Sequence, residues 1–233
     1  MNIDTLIIEV TRKCNFTCGH CLRGPAQNKS ISFEVADKLL SQISSIGTLT
    51  FSGGEPSLNV PFMRYFLDKA REKGVDIGNF YLATNGGKSS GSDDFIHLLM
   101  DLYLYCSDNE ISAVDVSNDD WHDMNEKDEN AIARLQCLRF ANIKGRLDYR
   151  HVIAEGRGKT LNELNGVEDG RKIKPDELYR EEATIQGECY VNALGDIIPG
   201  CDFSYCRQAK VKLGNILSSD LADLIPERAL IEA

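Results

Sequence analysis

The chain has no long apolar run: nowhere do 18 apolar residues follow one another, so no segment reads as a membrane-spanning helix. Basic charge is also scarce. Lys and Arg number 26 against 36 Asp and Glu, for a net charge of −10 and an isoelectric point near 4.9. That balance argues against non-specific binding to nucleic acid or to an anionic membrane, and leaves specific recognition of a nucleotide open. The opening residues MNIDTLIIEV carry neither a basic stretch nor a small-residue cleavage site, so no signal peptide is read and a cytoplasmic location is expected. There is no internal repeat, no low-complexity tract and no long linker. What remains, 42% hydrophobic and 27% charged over 233 residues, is ordinary globular composition. It suffices for one large domain, or one domain with a small appendage.

Cysteine, by contrast, is plentiful. Eight cysteines in a chain with no secretory mark point to metal ligation more than to disulfides. Three of them, Cys14, Cys18 and Cys21, crowd into C-x3-C-x2-C directly after the strand-like run 3–10. Such a loop can wrap three thiolates around a [4Fe–4S] cluster, leaving one of four irons without a protein ligand and open to a small molecule. On spacing alone, half of a structural zinc site is the alternative.

The remaining chain alternates strand and helix signals. Ser32 is a good N-cap for a helix through Phe33, Val35, Ala36, Leu39, Leu40 and Ile43, stopped by Gly47. A strand at 48–51 ends in Ser52-Gly53-Gly54-Glu55-Pro56, a tight turn that lets backbone approach a ligand. A helix over 61–73 with Phe62, Tyr65, Phe66 and Ala70 inward precedes a strand at 79–84, which ends in Thr84-Asn85-Gly86. A helix over 95–105, with Met100 among its inward residues, leads to a strand at 111–116. That strand runs into Ser117-Asn118-Asp119-Asp120-Trp121-His122-Asp123, either a solvated acidic cap, a metal site or an acid–base set. Further on, the pattern predicts a helix over 129–138, a strand over 146–154, a Gly156-Arg157-Gly158 turn presenting its guanidinium, a mobile polar loop over 167–174 and a short helix over 175–182. Cys106 and Cys137, at helix ends, are expected in the core. Strand–helix alternation calls for a parallel sheet with helices outside, and the unusual residues all follow strands, on one face.

The cysteine triplet followed, about thirty residues later by the count of the sequence, by GGEP resembles the radical S-adenosylmethionine (SAM) superfamily. The resemblance implies a partial (β/α)6 TIM-like barrel, with residues 1–182 as its core and residues 183–233 as the last strand plus a short C-terminal β-hairpin extension. It implies a [4Fe–4S] cluster on Cys14, Cys18 and Cys21, with SAM on the open iron. Reductive cleavage of SAM would give a 5′-deoxyadenosyl radical that abstracts hydrogen from a substrate. By the same resemblance Gly53, Gly54 and Glu55 hold the methionyl amine, a contact suited to a carboxylate. His20 sits near the adenine, Ser117 and Asn118 contact SAM, and Asp119 and His122 face the substrate as candidate catalytic groups.

The tail is similar to the cysteine-rich SPASM or twitch extensions of that family, which hold auxiliary clusters, but it is short: only Cys189, Cys201 and Cys206 follow residue 188. Residues 189–201 read as a hairpin turning at Leu194-Gly195-Asp196. These three cysteines either hold a second, auxiliary Fe–S cluster or are reduced thiols with packing roles. SPASM-like tails go with peptide modification, so a peptide substrate is expected, with a nucleotide or small metabolite as the alternative. Because the first strand begins near residue 3, a leader peptide would need a separate carrier or a groove on the barrel. The expected electron donor is a flavodoxin or ferredoxin. The rivals outside the enzyme class are a non-catalytic iron–sulfur electron carrier, which has no use for a SAM amine site, and a zinc-stabilised binding module.

Overall fold

The structure, a computed structural model, describes residues 1–144, 152–165 and 174–228. Strand β1 (Asn2–Thr11) and helix α1 (Phe33–Leu40) are followed by β2 (Ser45–Gly53), α2 (Val60–Lys73), β3 (Asp76–Thr84), α3 (Asp93–Tyr105) and β4 (Ala113–Val116). A one-turn helix α4 (Asp120–Asp123), then α5 (Glu129–Gln136), β5 (Ala141–Ile143) and α6 (Gly156–Leu164) complete the first part. The tail adds β6 (Tyr179–Glu181), β7 (Thr184–Val191), β8 (Asp196–Pro199), α7 (Tyr205–Val211), β9 (Gly214–Asn215) and α8 (Leu221–Leu224).

One open sheet runs through all of it, in the order β5-β4-β3-β2-β1-β7-β8-β9, with β6 on β7. β1 to β5 and β7 are mutually parallel; β6 and β8 pair antiparallel with β7, and β9 pairs antiparallel with β8. This is the partial, open form of the expected α/β barrel, its parallel strands joined by helices as the alternation requires.

Alternation along each strand sorts residues between two environments. Leu6, Ile8 and Val10 of β1, Leu49 and Phe51 of β2, and Phe80 and Leu82 of β3 pack outward against α1 to α3, where Leu39, Phe62, Phe66, Leu99 and Leu102 are fully buried. The other face carries Thr48, Thr50 and Ser52 of β2, Tyr81 and Ala83 of β3 and Ala113 and Asp115 of β4, half-buried or exposed. Bulky branched residues that fill a closed barrel are scarce on it, and the inside stays open.

Several boundaries differ from the sequence reading. The strand expected over 146–154 lies largely outside the described residues; β5 forms earlier, at Ala141–Ile143, as a three-residue edge strand. The Gly156-Arg157-Gly158 turn is instead the first turn of α6. The helix expected over 175–182 is an irregular segment leading into β6, because Tyr179 to Glu181 pair with β7. The loop over 167–174 falls outside the described residues except at its last position. Cys106 is buried but Cys137 is exposed at the end of α5, and Met100 faces outward.

The tail docks on β1. Glu9, fully buried, accepts hydrogen bonds from Arg12 Nε (2.6 Å) and the Ala193 amide (3.0 Å) on Oε1, and from Tyr190 Oη (2.6 Å) and Gln208 Nε2 (3.0 Å) on Oε2. A buried charge is tolerable when it is paired and fully hydrogen-bonded, as here. Arg23, also buried, donates to the Cys201 and Phe203 carbonyls and lies 4.9 Å over the Tyr190 ring. The two ends of the cysteine loop are thereby fastened to the hairpin.

Candidate functional site

At the carboxyl ends of the parallel strands, loops after β1, β2, β3 and β4 meet around a cavity of about 890 Å³. Its wall includes Cys14, Cys18, His20, Cys21, Gly53, Gly54, Glu55, Asn85, Ser117 and His122. The cysteine loop and the GGEP turn are joined through backbone: Gly54 N donates to Thr11 O (2.8 Å) and Glu55 N to Lys13 O (2.9 Å). Glycine is required here. Gly53 has φ +148°, and a Cβ on Gly54 would stand 2.2 Å from Lys13 O.

Glu55 is buried and knots the second loop to the third. Its Oε1 accepts from Ser57 N (3.1 Å), Ser57 Oγ (2.7 Å) and Thr84 Oγ1 (2.7 Å), and its Oε2 from Asn85 N (2.9 Å). Burial nevertheless holds its pKa above the usual carboxylate range, against the lowering effect of these donors. Oε1 is saturated, while Oε2 carries one donor and keeps room for another.

The three cysteines line the same cavity, and two of them, Cys14 and Cys18, receive N–H groups. Phe16 N points to Cys14 Sγ at 3.4 Å, Asn85 Nδ2 to Cys14 Sγ at 3.9 Å and Asn125 Nδ2 to Cys18 Sγ at 3.7 Å. Burial, and then the mutual repulsion of the three sulfurs, push Cys18 up to about 12; Cys14 is raised mainly by burial. Thiols so crowded are poor anions alone and become thiolates when a metal supplies positive charge. The donor set therefore fits a metal cluster.

Asn85 and Asn125 are residues the sequence reading did not single out as site groups. Asn85 Nδ2 also bonds Asn15 Oδ1 (2.9 Å), and Asn125 accepts from Thr17 N (2.9 Å) while donating to Trp121 O (2.8 Å). Together they brace both ends of the cysteine loop. Asn85 lies in the Thr-Asn-Gly motif already noticed; Asn125 carried no signal, since its partner loop is 107 residues away. Arg157 also holds this loop, its amide on Cys21 O (2.9 Å) and its Nη1 on Cys18 O (3.2 Å).

After β4, Asp119 caps α4 by accepting from the amides of Trp121 and His122 (both 3.0 Å), and its Oδ2 lies 2.7 Å from His122 Nδ1. Burial works to raise Asp119, but the bonds from His122 prevail and leave it below the usual range. His122 lines the cavity with Asp119 behind it, so Asp119 meets the cavity only through the imidazole. Ser117 lines the cavity, its amide on Thr84 O (2.9 Å), whereas Asn118 is half-buried off the wall. The ligand atoms of His20, Asp119 and His122 lie within 4.8 Å of one another. His20 Nδ1 is the one buried side-chain nitrogen or oxygen without a hydrogen-bond partner among the described residues. Burial lowers its basicity.

The tail cysteines do not gather. Cys189, fully buried, joins the helix-side core; Cys201 packs with Tyr190, Ile198 and Phe203 on the other face and reaches the cavity wall; Cys206 is exposed on α7. β8 ends at Pro199, the partner of Cys189, and Gly200 at φ +94° then turns the chain, so Cys201 leaves the strand alternation and packs away from Cys189. The second-cluster expectation finds no common ligand set here.

A sheet that delivers three thiols, a glycine turn and a buried carboxylate to one end defines a class: a cluster-binding partial barrel. The Radical SAM superfamily model matches residues 8–141, and the chain belongs to that superfamily. Membership implies a [4Fe–4S] cluster and SAM. The chain is 29% identical over 92 residues to the GTP 3′,8-cyclase of Paracoccus denitrificans, covering 37% of this chain and 27% of that protein. It is 30% identical over 66 residues to an uncharacterised protein of Methanocaldococcus jannaschii, covering 27% of this chain and 23% of that one. The matched segments thus span about a quarter of these curated relatives' length. Among solved structures, anSMEcpe with bound AdoMet and a Cp18Cys peptide aligns with a TM-score of 0.59 at 16% identity, over 96% of this chain and 80% of that chain. The same protein with AdoMet alone aligns at 0.58 and 18%. No helix among the described residues is long and apolar enough to cross a membrane.

Proposed function

We propose that this chain is a radical SAM enzyme that cleaves SAM reductively and removes a hydrogen atom from a substrate held in the cavity. The observation that carries the reading is the meeting of Cys14, Cys18 and Cys21 with Gly53, Gly54 and Glu55 on one cavity wall. When bound, the cluster supplies the electron and SAM the 5′-deoxyadenosyl radical. The protein's own part is placement. The three thiolates hold the cluster, braced by Asn85, Asn125 and Arg157. The free capacity of Glu55 Oε2 and the half-buried turn at Gly53 and Gly54, on the cavity wall, receive the methionyl ammonium. His20, with its unpartnered Nδ1, and Ser117 lie where SAM's nucleoside fits. His122, oriented through Nδ1 by Asp119, presents Nε2 to the substrate as the candidate acid–base group. The enclosing wall keeps water from the radical.

For the substrate, a peptide remains the first reading. Its support is the fold shared with anSMEcpe, a structure that holds a peptide. A compact polar metabolite is the second reading, favoured by the small polar inner wall of Thr48, Thr50 and Ser52. A flavodoxin- or ferredoxin-type donor would supply the electron.

The test is anaerobic reconstitution with iron and sulfide counting, then dithionite-driven SAM cleavage. About four irons per chain and release of 5′-deoxyadenosine are expected. Cys14→Ala, Cys18→Ala and Cys21→Ala should each lose both. A full cluster with no SAM cleavage defeats the proposal in favour of electron transfer, and bound zinc without sulfide defeats it in favour of a structural module.

A further inference from the structure

Below the loops, the inner face of the sheet is built in layers set by register. Ile7 of β1 pairs with Thr50, Thr50 with Tyr81, and Tyr81 with Ala113. One layer nearer the cluster, Ser52 on β2 and Ala83, which pairs with Asp115, share the inner face. A barrel interior is ordinarily closed by bulky side chains. Here Thr, Ser and Ala leave room, and the cavity continues down past the SAM-binding loops to Thr5, Thr48 and Tyr81. Its 890 Å³ stands near the top of the roughly 300–1,000 Å³ typical of small-molecule pockets, which suits a second molecule beside SAM.

Beside this lower part stand a cation and an anion that the loop site does not use: Lys144 lines the cavity, and Asp115 stands behind Tyr81 on the same inner face, paired with Ala83. Lys144 follows β5. Its Nζ is 3.5 Å from Tyr81 Oη and 4.0 Å from Asp115 Oδ2. Tyr81 Oη in turn donates to that same Asp115 oxygen at 2.9 Å. Burial and the Asp115 carboxylate both keep the Tyr81 phenol protonated. An ammonium has three donors, and the long contacts to Tyr81 and Asp115 leave it able to serve a ligand. Asp115 offers its other oxygen as an acceptor. The two opposite charges stand about one head group apart, and neither is buried deep enough to need the other: their side chains are 48% and 21% exposed.

A plain dianion at Lys144 would meet the Asp115 carboxylate at its side and be repelled. A ligand with both charges satisfies both groups. We propose that Lys144 and Asp115, braced by Tyr81, form a substrate subsite for an α-amino-acid head group, the substrate carboxylate on Lys144 and its ammonium on Asp115. The inference rests on the radical SAM reading and takes up the second of its two substrate readings, the compact polar metabolite, which it narrows to a free amino acid or a metabolite that keeps that head group. The rest of the substrate then extends up the polar wall toward the cluster.

The test is binding to the reconstituted holoenzyme with SAM present, by saturation-transfer NMR and calorimetry. The twenty free L-amino acids are offered singly, then the N-acetyl and methyl ester forms of any that bind. At least one free amino acid should bind, and removing either charge should weaken it tenfold or more. Lys144→Gln and Asp115→Asn should do the same while the SAM affinity and iron content stay at the wild-type level. Lack of binding by all twenty overturns the proposal, as does binding indifferent to capping. Tight Lys144-dependent binding of inorganic phosphate overturns it in favour of a simple anion site. Loss of SAM affinity in Lys144→Gln overturns it by assigning the lysine to SAM. Should amino acids bind as expected while SAM is not cleaved, the enzymatic reading fails and the subsite stands.

Discussion

Glycine at position 54 is fixed by contact rather than by turn chemistry alone. An added methyl would stand 2.2 Å from Lys13 O, a backbone atom that cannot swing aside. Gly54→Ala should therefore separate the GGEP turn from the cysteine loop, costing about 1–3 kcal/mol by the usual overpacking scale and lowering iron uptake. Urea unfolding and iron counts on the same preparation check this. Cys137→Ser, at an exposed thiol, is the control and should stay within about 0.5 kcal/mol. At this scale the sequence was legible where chemistry and spacing coincide: the three cysteines, the glycines and Glu55 all line one cavity. It was not legible where a partner is distant in the chain. Asn125 resembles any loop asparagine until folding sets it beside Cys18.

The hairpin of β7 and β8 is held at its turn by Asp196. Burial works to raise this carboxyl, but hydrogen bonds from Asn215, Lys212 and Asn192 outweigh it and leave the group below its ordinary value. A carboxyl depressed in the folded state stabilises above its unfolded value, about 3.9, and that contribution fades as the pH falls through the folded value. The protein should accordingly lose stability on acidification below about pH 4, and Asp196→Asn should be less stable at pH 7 but show a shallower acid slope. Melting temperature against pH for the two proteins decides it. Elements with long apolar stripes, such as α2 and α3, were legible because periodicity and glycine or serine ends agree. The strands β5 and β6 were not: each has three residues, too few for a period, and each exists because a neighbouring strand offers an edge. Pro175 promised a helix start that the pairing of Tyr179 to Glu181 with β7 overrode.

For the molecule as a whole, the loops after four strands and the docked tail converge on one cavity, so cluster binding and folding share contacts. Whatever binds the folded chain and not the unfolded one raises apparent stability by mass action. The reconstituted protein should melt at a higher temperature than the cluster-free one under argon, and an iron chelator should return it to the lower value. Equal melting temperatures would mean that the bound cluster adds nothing to the stability of the fold. The alternation of strand and helix was enough to anticipate the parallel sheet. The hollow inside was written in the sequence too, as Thr48, Thr50, Ser52 and Ala83, but small polar residues announce an empty space only once register sets them side by side.

Trp121, the one tryptophan of the chain, lies against Gly19 in the middle of the cysteine loop, so close that a Cβ there would meet its ring at 3.0 Å. An indole at that position is an optical gauge supplied by nature. Iron–sulfur clusters absorb broadly across the near-ultraviolet and visible, so light emitted by Trp121 is drained whenever the loop is loaded. The dimming and recovery of a single intrinsic fluorophore will follow cluster assembly and loss in real time, with no label attached.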